Sequence, residues 1–137
     1  MIKPTRNSKE IRSGETLPAL EKRFTEVDLV AYGASTWDWH RVHYDVEFAR
    51  KLKLPGVLVD GQAFGALLAR AALEWAGPKA FIASMSFRMK SMAFAGDTLR
   101  AEGAVTEISG NVVVLSQRLM NAGRVSAEAT TRIRLPS

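Results

Sequence analysis

The sequence predicts an α+β domain in which an antiparallel sheet wraps around one long helix, and three observations lead there. Residues Gly61 to Trp75 are apolar on nearly every side of a helical wheel, so a helix there needs cover all round. Phe81 to Lys90 alternates strictly between apolar and polar residues, the period of a half-buried strand. Three further strand-like segments follow, set off by Ser109-Gly110-Asn111 and Asn121-Ala122-Gly123, which are turn signals of a meander. A chain of 137 residues, 47% of them hydrophobic, is long enough for one domain with a real core.

Residues 1–16 lack periodicity and read as a flexible N-terminal arm, leaving 17–137 as the domain. Leu17 to Phe24 is an extended lead-in or first strand. Thr25-Glu26-Val27-Asp28 has capping-box spacing, with Thr25 as N-cap and Asp28 returning to its backbone. The helix it starts weakens at Gly33 and Ser35, before a loop from Trp37 to His43. Asp45 caps a second short helix whose Phe48 and Leu52 share a face, and Pro55-Gly56 breaks it off. The long helix ends at Gly77-Pro78. Strands at 81–90, 98–106, 112–120 and 125–135 complete the reading.

Several function classes recede on composition. The chain has no cysteine, which removes disulfides, thiolate metal sites and cysteine nucleophiles. Its formal charge is +5, but part of the excess lies in the first 16 residues and the rest is scattered along strands. No basic helix or aromatic–basic platform is present, so nucleic acid is not an expected partner, whereas a phosphorylated small molecule suits the same field. No stretch is long and apolar enough to span a membrane and no secretory signal is visible, so the cytoplasm is the expected location.

Both histidines lie in Trp37-Asp38-Trp39-His40-Arg41-Val42-His43-Tyr44-Asp45. Asp38 and His43, five residues apart in a loop, can enter one cavity as a general acid–base pair. The same spacing fits a turn in which His43 bonds to backbone and Asp38 is a cap. His40 reads as a loop histidine; together with His43 and Asp38 it falls short of a metal set, and no metal is expected. Asp60 reads as an ordinary N-cap of the long helix. Gly61 either permits the turn or offers an unblocked N–H to a developing oxyanion. Trp39, Gln62, Phe64, Arg88 and Lys90 are candidate substrate contacts, Arg88 and Lys90 for phosphates.

Taken together these features resemble the MaoC-like acyl dehydratases, the hot-dog group that includes R-specific enoyl-CoA hydratases. Asp38 with His43-Tyr44-Asp45 matches an Asp-x-Asn-x-x-His-type motif, Gly61 a His-Gly at the central helix, and Arg88-Met89-Lys90 with Gly96-Asp97 an Arg-x-Lys…Gly-Asp segment. His40 stands in place of the asparagine, Asp60 in place of the histidine, and Met92 and Ala95 where prolines are common. The resemblance implies a hot-dog domain over about 17–135 and a catalytic set of Asp38, His43 and Gly61. It implies hydration of trans-2-enoyl-CoA to (3R)-3-hydroxyacyl-CoA, with the coenzyme A thioester as substrate and no separate cofactor. Two units would join edge to edge as a homodimer or higher homo-oligomer, or as a heterodimer. A hot-dog thioesterase, or a non-catalytic acyl-binding subunit of a heteromeric dehydratase, are the alternatives.

Overall fold

A computed structural model describes residues 3–137. Five strands, β1 (Leu20–Arg23), β2 (Phe81–Met89), β3 (Thr98–Ser109), β4 (Val112–Asn121) and β5 (Arg124–Arg134), form one antiparallel sheet in the order β1-β3-β4-β5-β2. Three helices precede β2: α1 (Glu26–Thr36), α2 (Val46–Lys51) and α3 (Gly61–Ala76), with a short 3-10 turn at Arg41–His43. This is the α+β hot-dog architecture, with α3 held against the sheet.

The packing follows from composition. One end of α3 buries Ala63, Phe64, Leu67 and Leu68 against Leu99, Ala101, Leu119, Ala127 and Ala129. The other end buries Ala72, Trp75 and Ala76 against Val105, Val113, Leu115 and Ile133. Alanines along α3 let the sheet close on the helix, while each fully buried leucine or phenylalanine contributes about 1.5–3 kcal/mol. Inside this core Gln117 Nε2 donates to the Leu68 carbonyl at 2.9 Å, and Thr131 Oγ1 donates to Gln117 Oε1 at 2.6 Å. The buried amide is thereby satisfied, tying β4 and β5 to the middle of α3. No helix among the described residues is long and apolar enough to cross a membrane.

Local signals hold at the helix starts. Thr25 forms both halves of its capping box with Asp28, and Asp45 accepts from Phe48 N–H. Helix α1 runs past Gly33 and Ser35 to Thr36, where the Ser35 and Thr36 hydroxyls donate to the Ala31 and Tyr32 carbonyls. Strand β2 is less buried than its alternation predicts: it is a sheet edge, bulged between Ile82 and Ser84, and leaves Phe81 and Met89 about 60% exposed.

The predicted flexible arm is a correction. Residues 3–16 lie along the sheet and the end of α3: Arg6 N–H donates to the Ala76 carbonyl, Gly14 N–H to Val105, and Thr16 bridges Ala104. Ile11 is 1% exposed and belongs to the core. Glu15 pairs with Arg6 and accepts from Trp75 Nε1 at 3.2 Å. The Arg6 hydrogen bond chiefly, with Trp75 adding to it, holds the Glu15 carboxyl below its ordinary value of 4.5. A depressed carboxyl stabilises the fold above that ordinary value, and the contribution is lost as pH falls through the lowered one. Glu15→Gln is therefore expected to lower Tm at neutral pH and to flatten the acid limb of Tm against pH. A parallel downward shift at every pH would contradict this.

Candidate active site

The loop between α1 and α2 is shaped to present two side chains. Trp37 takes a left-handed conformation (φ 59°) at the end of α1, and the chain doubles back so that Asp38 N–H donates to the Gly33 carbonyl at 2.9 Å. A Cβ on Gly33 would sit 2.7 Å from the Asp38 carbonyl oxygen, so only glycine allows this approach. Asp38 Oδ1 then accepts from His40 N–H at 3.1 Å, which fixes the carboxylate plane. That backbone hydrogen bond chiefly holds the Asp38 carboxyl below the usual carboxylate range, with the neighbouring His43 adding to it.

His43 is positioned from the other side. Its Nδ1 lies 2.7 Å from the Leu58 carbonyl, which can only accept, so Nδ1 carries hydrogen and Nε2 faces the site. Leu58 N–H in turn donates to the Val42 carbonyl. The Val57–Val59 strap is secured along its other edge by Val59 N–H to Ala93 and Ala95 N–H to Val57. His43 Nε2 stands 3.7 Å from Asp38 Oδ2, with the histidine side chain 12% and the aspartate 37% exposed. One partner is thus held rigidly and the other is open to an incoming molecule.

Asp60 completes the cluster, and its sequence reading as a plain N-cap is only half of what it does. Oδ1 accepts from Gln62 N–H at 2.8 Å, as a cap should, but the buried Oδ2 has no hydrogen-bond partner among the described residues. Atoms of Asp38, His43 and Asp60 lie within 4.8 Å of one another. Burial pushes the neighbouring Tyr32 phenol up. The aspartate standing where the resembled family carries histidine was the signal for this residue. Three donor atoms of this kind could also hold a divalent ion.

Gly61 opens α3 beside this cluster. Asp60 takes the Gln62 and Ala63 N–H groups, leaving the Gly61 N–H without an acceptor among the described residues. The volume a Gly61 side chain would fill holds the Met89 thioether, and Phe87 lies in the same way over Gly65 one turn on.

The remaining sequence candidates separate. Trp39 is half exposed and stacks edge-on with Trp37 at 5.8 Å, while Gln62 is exposed in the first turn of α3. Phe64 is corrected to core, at 2% exposure. Arg88 and Lys90 are also corrected. They flank Met89, whose side chain reaches Gly61, so they point to the opposite face of β2. There Lys90 pairs with Glu128 at 3.5 Å and both line a broad groove with Arg118 and Ser86. His40 is occupied by accepting from Val42 N–H and by packing edge-on against Phe48. The Gly96-Asp97 pair is structural: Gly96 turns at φ 96°, and Asp97 accepts from Phe94 N–H and Asn121.

Comparisons with known proteins agree with this architecture. The family described as MaoC like domain matches residues 8–128. The 3-oxo-4,17-pregnadiene-20-carboxyl-CoA hydratase beta subunit of Mycobacterium tuberculosis is 28% identical over 102 residues, 74% of this chain and 79% of that protein. Among solved structures, the ChsH1-ChsH2 complex of Mycobacterium tuberculosis contains a chain 25% identical, with a TM-score of 0.86 over 91% of this chain and 98% of its own. The unliganded R-hydratase PhaJ1 of Pseudomonas aeruginosa is 26% identical, with a TM-score of 0.89 over 95% and 85%.

Proposed function

The chain belongs to the MaoC-like domain family, and we propose that it is a hydratase/dehydratase interconverting trans-2-enoyl-CoA and (3R)-3-hydroxyacyl-CoA thioesters. The observation that carries this reading is His43 Nε2 facing the Asp38 carboxylate at 3.7 Å beside the unpaired Gly61 N–H. In hydration the thioester oxygen rests on the Gly61 N–H, where the N-terminus of α3 favours the developing negative charge. The Asp38 carboxylate takes a proton from the water that adds at C3, and protonated His43 delivers one from Nε2 to C2. In dehydration His43 removes the C2 proton and Asp38, now an acid, protonates the departing hydroxyl. The coenzyme A thioester is the substrate itself, and the chemistry asks for no further cofactor.

A second hot-dog subunit joins at the β2 edge. Phe81, Met89 and Met92 are all more than half exposed on or just after this strand, and among the described residues the strand has no neighbour on its outer side. The relatives support either a second copy or a different partner, since one is named a beta subunit and another was solved in a complex.

The test is a screen of the purified chain over enoyl-CoAs of increasing acyl size, followed by loss of the conjugated-thioester absorbance. A parallel thiol assay uses saturated acyl-CoA. Hydration without thiol release is the expected result. Thiol release from saturated thioesters without hydration would replace this reading with a thioesterase.

A further inference from the structure

Asp60 carries more than its cap requires. It is 8% exposed, one oxygen is used at the helix start, and the other is buried without a partner while a second carboxylate and an imidazole stand within 4.8 Å. Two ionised carboxylates at that separation repel, and a buried unpaired anionic oxygen is costly besides. Both costs fall if Asp60 holds a proton, because its oxygen then becomes a donor for which Asp38 is the neighbouring acceptor.

We propose that Asp60 is a positioning residue of this site: it shares a proton with Asp38 and so holds the Asp38 carboxylate toward His43. Asp38 is the member that carries the negative charge. It is the more exposed of the two and already accepts the His40 N–H. The groups facing Asp60 are Asp38 from the loop, His43 from the 3-10 turn and Tyr32 from α1. The Met89 thioether from β2 lies at the adjoining Gly61. A second donor, added to the His40 N–H on Oδ1, steadies the carboxylate further and leaves one oriented oxygen for water. The kinetic consequence rests on the hydratase reading above; the shared proton itself does not.

Two variants of the full chain separate this role from capping. Asp60→Asn keeps the cap and keeps a donor for Asp38. Asp60→Ser keeps the cap, since serine is as good an N-cap, but is too short to reach Asp38. The Asn variant is expected to retain kcat within about three-fold, and the Ser variant to lose about 10–100-fold in kcat with KM little changed and the same Tm as Asn. Infrared spectroscopy of the wild type at neutral pH is expected to show the carbonyl stretch of a protonated carboxylic acid, absent from the Ser variant. Equal activity of the Ser and Asn variants would reduce Asp60 to a cap. An Asn variant as impaired as Ser would mean that the ionised carboxylate is needed, and absence of the infrared band in the wild type would remove the shared proton. If the band is present but the wild type hydrates no enoyl-CoA, the activity reading falls and the proton assignment stands.

Discussion

Asp38→Asn and His43→Gln, made singly, are each expected to lower kcat for hydration of a short enoyl-CoA by about 10²–10⁴-fold. Asparagine keeps the oxygen that accepts the His40 N–H, so the loop keeps its shape, yet the amide takes no proton from water. Glutamine in place of His43 still has an N–H for the Leu58 carbonyl but loses the basic Nε2. Neither change touches the core, so Tm should stay within a few degrees. The double variant should lose little more than the worse single one, because residues that act as a unit are not additive. Steady-state kinetics alongside thermal unfolding decides it: near-wild-type kcat in either single variant would remove that residue from the acid–base pair.

The sequence made the scaffold legible because its signals are local and repeated. Thr25 with Asp28, Asp45, and the apolar run after Gly61 each declare a helix start, and the turns at Gly110 and Gly123 declare the meander. The Asp38–His43 pair was legible as a candidate, since residues five apart in a loop can enter one cavity, though the contacts from Gly33 and Leu58 that place them were not. Three features were not, and each depends on distant packing. The alternation of β2 shows that Arg88 and Lys90 share a face, but not that Met89, opposite them, lies on Gly61. The N-terminal segment carries only Ile11 and Leu17 as large apolar residues between positions 3 and 17, too few to show a period, yet Ile11 is nearly fully buried by α3 and the sheet. Asp60 showed its capping role because Gln62 is two residues away, while its place beside Asp38 and His43 became visible only once three segments met.

Gly33 shows how the fold and the chemistry are joined, and it gives the second large prediction. Alanine inside a helix is favoured over glycine by about 1 kcal/mol, so on propensity alone Gly33→Ala should strengthen α1. The added Cβ, however, would lie 2.7 Å from the Asp38 carbonyl oxygen, and a backbone atom cannot swing aside as the end of a flexible side chain can. The loop has to move, which strains the Asp38 N–H to Gly33 hydrogen bond and carries the Asp38 carboxylate away from His43 Nε2. Gain and strain offset each other in stability, so Tm should shift by only a few degrees. Catalysis has no such offset, because misplacing a catalytic group by about 1 Å costs up to about 10²-fold. Gly33→Ala is therefore expected to lose about 10–100-fold in kcat while remaining folded. Gly56→Ala is the matched control: its Cβ would meet only the Phe94 Cβ at 4.0 Å, an ordinary contact, and activity should be unchanged. Full activity in Gly33→Ala would mean that the loop can hold Asp38 without this close approach, and the coupling of α1 to the site would have to be abandoned.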